Sequence, residues 1–271
     1  MGGVPVLLPE SLTEQQLEQS GYFDSEFAQY DRYQLENWRR SYISRIFSAL
    51  DIRDGRGPYL DVGVGGSGAT VIEAARLGID AVGCDLSIEG VRHAELFAGT
   101  EGIEEHASFV ACAAESLPFR DASFGCASAV AVLEHLDDDV RAVRELARVV
   151  RPGGLVWVTV PLAYRYILPP LWPLYVWHDR RIGHKRHYHE AALVRIFEQA
   201  AFSHVATTYT GHVVKLLQLV LDRLLPLSKK RRDRLWWSLE RLDLRAVRRA
   251  YGALQLNAVF RRRADAEGVG A

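Results

Sequence analysis

The ten residues Tyr59–Gly68 (YLDVGVGGSG) limit what this chain can become more than any other segment. A short apolar run, Tyr59–Val62, ends in a glycine-rich turn, and Ala69–Leu77 follows with helical spacing. A strand that enters such a turn and leaves it as a helix opens a βαβ unit. The alternation then continues. Strands are expected at Asp80–Cys84, Ser108–Cys112, Phe124–Val130 and Leu155–Val160. Helices are expected from about Ile88 to Phe97 and over Val140–Val150, the second broken by Pro152-Gly153-Gly154. Strands alternating with helices give a mostly parallel sheet, and strongly apolar strands fit one buried on both faces. Further on, the pattern predicts a helix over Ala191–Gln199 and a strand over Val205–Tyr209. Helices near 213–225 and 230–250 and a last strand over Leu254–Phe260 complete it, and Tyr30–Leu50 reads as a helix leading in.

Composition narrows the function classes. The chain has 271 residues, 48% hydrophobic and 25% charged, which is too apolar for disorder and ordinary for a globular domain. A net charge of -1 gives no overall attraction for polyanions. The charge is nevertheless divided. His212–Arg263 holds 14 Lys/Arg against 4 Asp/Glu, while residues 1–211 are acidic. Three cysteines without CxxC spacing argue against a disulfide scaffold and suit a reducing cytosol. The first residues lack the pattern of a signal peptide, so a cytoplasmic location is expected. Pro161–Trp177 and His212–Pro226 are apolar, but both carry charges and neither reaches the roughly 20 apolar residues of a membrane span.

Gly63, Gly65 and Gly68 satisfy GxGxxG, a spacing that lets a ligand lie against backbone N–H groups at a helix start. Asp85 closes the next strand, 24 residues after Asp61. An acid there can accept hydrogen bonds from both hydroxyls of a ribose. Loop, strand and acid together favour an adenosine ligand over a purely structural turn.

With these features the sequence resembles the class I S-adenosylmethionine-dependent methyltransferases of the small-molecule type common in secondary metabolism. The resemblance covers roughly Tyr59 to Val205 and the final strand. Besides Asp61-Val62-Gly63, it is carried by Ala114–Phe119 (AESLPF), Val132–Leu136 (VLEHL) and Glu145–Gly154 (ELARVVRPGG). It implies a Rossmann-like α/β fold, a mostly parallel sheet with its last strand antiparallel, and helical cap insertions. It also implies S-adenosylmethionine as cofactor and S-adenosylhomocysteine as product. On that reading Asp61 lies near the methionine ammonium, and Gly63, Gly65 and Ser67 cradle the methionine part. Asp85 holds the ribose, Leu86 lies against the adenine, Ala113, Ala114 and Glu115 flank it, and Ala129 and Val130 face the methionine. Tyr22 and Tyr30, with Tyr33, belong to an N-terminal segment able to close over the site. The chain departs from the family at Ala113, where an aspartate is common, and at Ser67, where the third glycine of GxGxG would stand.

The acceptor is expected above the carboxyl ends of the strands. Tyr164, Tyr166 and Trp172 begin an aromatic wall suited to a bulky or apolar acceptor, and Arg186 and Tyr188 fall in a GHxRxY-like stretch that the family places near it. His135, His184 and His187 are the candidate general bases, because imidazole titrates near neutral pH. His184, His187 and His189 lie close together, but in an expected loop among basic residues and without cysteine, so no metal is expected. The expected organisation is an N-terminal helical lead or lid (1–57) and a cofactor-binding core (58–210) with an acceptor-side insertion (161–190). A basic helical cap (211–252), a final strand (253–263) and a tail (264–271) follow. The cap is read as substrate cover or a homodimer interface ahead of a peripheral membrane element, with nucleic acid third. The expected reaction is methyl transfer to a small or hydrophobic molecule, at oxygen before nitrogen or carbon. Its rivals are a lipid-linked acceptor reached through the basic helices, an NAD-dependent oxidoreductase and a non-catalytic adenosine-binding protein.

Overall fold

The computed structural model describes residues 4–8, 12–27, 33, 35, 37–54, 57–212 and 228–264. Among them, seven strands form one sheet: β1 (Tyr59–Val62), β2 (Ala81–Asp85), β3 (Ala107–Ala111), β4 (Phe124–Val130), β5 (Val150–Pro161), β6 (Phe202–Thr210) and β7 (Gln255–Arg262). The order is β3-β2-β1-β4-β5-β7-β6. Strands β1 to β5 pair in parallel, and β7 runs antiparallel between β5 and β6. The chain builds outward from β1 to β3, then crosses back to β4 on the other side of β1. This reversal opens a crevice at the carboxyl ends of β1 and β4, where open α/β sheets bind ligands.

Helices α1 (Glu14–Phe27), α2 (Asn37–Leu50), α3 (Ala69–Ala75), α4 (Ile88–Glu101), α5 (Asp139–Val149), α6 (Trp172–Ile182), α7 (Glu190–Gln199) and α8 (Lys229–Asp243) surround the sheet. Alternation along each strand sorts the core into two layers. Tyr59, Cys126 and Trp157 pack with α2, α3 and α4, whereas Leu60, Ala127 and Val158 pack with α5 and α7. Near the sheet's far edge Phe197 stacks on Phe260, ring centroids 3.9 Å apart.

Several boundaries differ from the sequence expectation for local reasons. Strand β5 starts at Val150, because Val150 pairs with Phe124 and a bulge absorbs Pro152-Gly153-Gly154 before Leu155 pairs with Cys126. Leu133–His135 is a separate 3-10 turn, and α5 begins only after Asp138, whose side chain caps Arg141 N at 2.8 Å. Asp179–Ile182, read as loop, is the last turn of α6. Pro173 sits in that helix's first turn, where a missing N–H is harmless, and Gly183 closes it at φ 71. Helix α8 stops at Asp243, whose carboxylate accepts from Gly211 N, His212 N and the His212 ring. The expected helix over 213–225, and the part of the lead helix around Tyr30, lie outside the described residues. One pairing was not foreseen: Val6 bridges to Ala111, extending the β3 edge.

Candidate active site

The crevice at the switch point contains a cavity of about 410 Å³. Its floor is the glycine loop. Gly63 and Gly65 take φ of 75° and 62°, a left-handed backbone that side chains disfavour. Gly63 N and Val64 N both donate to Cys84 O, at 2.8 and 3.0 Å, and tie the loop to the end of β2. Asp85 stands at that end. Its Oδ2 accepts from Gly65 N at 2.8 Å and its Oδ1 from Ser87 N at 2.9 Å, so the carboxylate is held at the cavity wall between loop and α4. Burial raises its pKa against these backbone donors. Gly63, Gly65, Ser67, Leu86, Ala113, Ala114, Glu115 and Val130 also line the cavity.

Two anticipated residues are placed differently. Asp61 is buried and does not line the cavity. Its carboxylate accepts from Thr70 Oγ1 and Ser128 Oγ, and Ser128 Oγ in turn meets Tyr59 OH at 2.5 Å. Burial, reinforced by the Asp85 charge, pushes its pKa up to about 6 against those hydrogen bonds. Ala129 is buried in the core on the α5 side of the sheet, and Val130 is the β4 residue that reaches the cavity.

Helix α1 roofs the cavity through Gln16, Gln19, Phe23 and Phe27. Phe23 and Phe27 stack with centroids 5.7 Å apart, and the Phe27 ring lies over Gly65 and Gly90. Asp24 anchors the helix by accepting from Ser87 Oγ (2.5 Å) and Glu89 N (3.2 Å) at the start of α4. The aromatic roof is therefore Phe23 and Phe27. Tyr22 is 41% exposed and borders a neighbouring cavity, and Tyr30 lies outside the described residues. A signal for this helix stood in the sequence. Thr13-Glu14-Gln15-Gln16 is a capping box, with Gln16 N donating to Thr13 Oγ1 and Thr13 N to Gln16 Oε1.

His135 borders both the first cavity and a second, more open one of about 720 Å³, whose wall includes Gln19, Phe23, Arg180 and Lys185. Burial, with the neighbouring His184 next, lowers the His135 pKa to about 4, so the imidazole is neutral near pH 7. Its ring lies 5.1 Å from that of His184. His184 Nδ1 and His187 Nε2 both meet Asp179 Oδ1, at 2.7 and 2.9 Å, and Tyr164 OH donates to Asp179 Oδ2 at 2.6 Å. Asp179, absent from the sequence-based candidates, is the hub of this cluster.

The remaining acceptor-side candidates lie apart from both cavities. Arg186 pairs with Asp139 at 2.6 Å, and the buried Tyr188 donates to Asp139 Oδ2 at 2.7 Å, so both fasten the loop to the start of α5. Tyr166 stands between Arg165 and His189, and Trp172 donates to Ile167 O at 2.9 Å.

Residues 60–158 match the family model described as a methyltransferase domain. Norajmaline N-methyltransferase of Rauvolfia serpentina is 36% identical over 110 residues, 41% of this chain and 37% of that protein. The 27-O-demethylrifamycin SV methyltransferase of Amycolatopsis mediterranei (strain S699) is 31% identical over 134 residues, 49% of this chain and 47% of that protein. The chain thus matches less than half the length of these curated relatives. The crystal structure of the [4+2]-cyclase SpnF superposes with a TM-score of 0.63 at 19% identity, over 97% of this chain and 100% of that one, a likeness of fold. The match to a methyltransferase domain thus covers residues 60–158 of the 271, and the likeness to the cyclase structure is one of fold over nearly the whole chain.

Proposed function

We propose that this protein transfers a methyl group from S-adenosylmethionine to a small or hydrophobic acceptor, at oxygen ahead of nitrogen or carbon. The observation that carries the reading is the meeting of two cavities at His135, one built on the glycine loop and Asp85, the other open toward the 161–190 insertion. The first cavity suits the cofactor: its volume is in the range of small-molecule sites, and its wall offers the half-buried Asp85 carboxylate beside a left-handed glycine turn. S-adenosylmethionine, when bound, supplies a methyl group already activated on a sulfonium.

The chain's own work is then to bind, orient and exclude water. Asp85 accepts the ribose hydroxyls, and the turn around Gly63 and Gly65 packs on the methionine part. Leu86, Ala113 and Ala114 flank the adenine, with Glu115 at its rim. Phe23 and Phe27 keep water from the methyl group. His135 takes the proton of an acceptor hydroxyl as its oxygen is methylated. The two curated relatives above, whose names specify N- and O-methyl transfer to elaborate small molecules, support this class of acceptor.

A second reading, an acceptor held at a lipid surface, is favoured by α8, whose exposed side chains include Arg231, Arg234, Trp237 and Arg241. No helix among the described residues is long and apolar enough to cross a membrane. The test is to incubate the protein with methyl-labelled S-adenosylmethionine and a small-molecule extract. A labelled product resolved by mass spectrometry supports the reading. Absence of any labelled small molecule, with label only in a lipid fraction, favours the second.

A further inference from the structure

We propose that Asp179, His184 and His187 form a binding site for a divalent transition-metal ion on the acceptor side of the cleft. In the sequence these histidines stand with His189 in an expected loop among basic residues and without cysteine. The fold changes the set. His189 turns toward Tyr166, while the last turn of α6 brings Asp179 to the other two. His184 Nδ1 and His187 Nε2 converge on a single oxygen, Asp179 Oδ1, at 2.7 and 2.9 Å, and the three donor atoms all lie within 4.8 Å of one another. Ion–ligand bonds of about 2.0–2.2 Å require these contacts to open by roughly half an ångström, within the reach of side-chain rotation.

The surroundings match what a metal ligand set needs beyond its own donors. A ligating histidine usually directs its other ring nitrogen to a carboxylate, and a ligating carboxylate is itself hydrogen-bonded. Here His184 Nε2 faces Glu134 Oε1 at 3.8 Å, and Tyr164 OH donates to Asp179 Oδ2 at 2.6 Å. Backbone bonds hold the loop on both sides of the histidines: Gly183 N to Asp179 O, Lys185 N to Glu134 O and Tyr188 N to Pro161 O. Asp179 and Glu134 are both buried carboxylates, which a cation would compensate.

Two imidazoles and one carboxylate suit a borderline ion such as Zn²⁺, Co²⁺ or Fe²⁺ better than Mg²⁺ or Ca²⁺. Three protein ligands leave a coordination position for water or an acceptor oxygen, the pattern of catalytic sites. The role of the ion in holding an acceptor rests on the methyl-transfer reading. The site itself does not.

The test is a Co²⁺ titration of the full chain after treatment with a chelator, followed by visible d–d absorption. The expected result is saturation at one ion per chain, displacement by Zn²⁺, and at least a tenfold loss of affinity in both Asp179→Asn and His187→Gln. His204→Gln, on β6, should bind as the unaltered protein does. S-adenosylhomocysteine binding by each variant shows that it is folded. Absence of saturable absorption, or binding unchanged in both folded variants, shows a hydrogen-bonded cluster only and overturns the proposal. Metal binding without any S-adenosylhomocysteine binding in the unaltered protein would leave the site standing and remove the methyl-transfer reading.

Discussion

At the scale of single residues, the two aspartates near the glycine loop are placed differently. Asp85 is half-buried and lines the cavity, whereas Asp61 is buried and enclosed by Thr70, Ser128 and the strand beside it. A carboxyl whose pKa rises to about 6 on folding is destabilising while charged. That cost is full above about pH 6 and disappears as pH falls toward 4, the ordinary carboxylate value. Asp61→Asn is therefore expected to stabilise the protein by on the order of 1–3 kcal/mol at pH 7.5, with the gain vanishing near pH 4. Thermal melts of both proteins across that window check this, and a gap independent of pH would contradict it. For His135, replacement by Ala is expected to lower kcat by about 10²-fold or more if it accepts the acceptor's proton. S-adenosylhomocysteine affinity should change little. Equal losses in cofactor affinity and turnover would make His135 a packing residue instead.

At the scale of elements, α1 is the part the sequence concealed best. Its capping box at Thr13–Gln16 was visible, but what it covers depends on Asp24 reaching Ser87 and Glu89 across more than sixty residues. Local pattern carries no such information. The glycine loop, Asp85 and β1 to β5 were legible because each is a short-range feature with its own chemistry. The Asp179 hub was hidden because proline-rich 161–177 reads as irregular chain, while in the fold Pro169, Pro170 and Pro173 occupy helix starts. Phe27→Ala is expected to weaken S-adenosylhomocysteine binding about tenfold, a loss close to 1.4 kcal/mol. An unchanged dissociation constant would mean that α1 does not close over the ligand. On the opposite flank, Trp236 is buried in α8, one turn before Glu240, which pairs with Arg45 of α2 at 2.9 Å. Trp236→Ala should cost on the order of 3–5 kcal/mol locally and expose the arginines of α8 to trypsin. Cofactor binding should persist, because α8 borders neither cavity.

At the scale of the whole molecule, the reversal of strand order between β1 and β4 brings the glycine loop, Asp85, Leu86, Ala113–Glu115 and Val130 to one crevice. The antiparallel β7 then carries the chain back to close the sheet's far side. The segment 161–190 follows the carboxyl end of β5 and supplies Arg180, Gly183 and Lys185 to the second cavity, where His135 and His184 meet although they are 49 positions apart in the chain. The account stands on an adenosine moiety held by Asp85. The most direct measurement is calorimetric titration of the unaltered protein and of Asp85→Ala with S-adenosylhomocysteine and, separately, with NAD. The account predicts one S-adenosylhomocysteine per chain, no heat with NAD, and a loss of about 10²-fold in the variant, as expected when charge-assisted hydrogen bonds to two hydroxyls are removed. Binding of NAD in place of S-adenosylhomocysteine, or an Asp85→Ala protein that binds as tightly as the original, would contradict it.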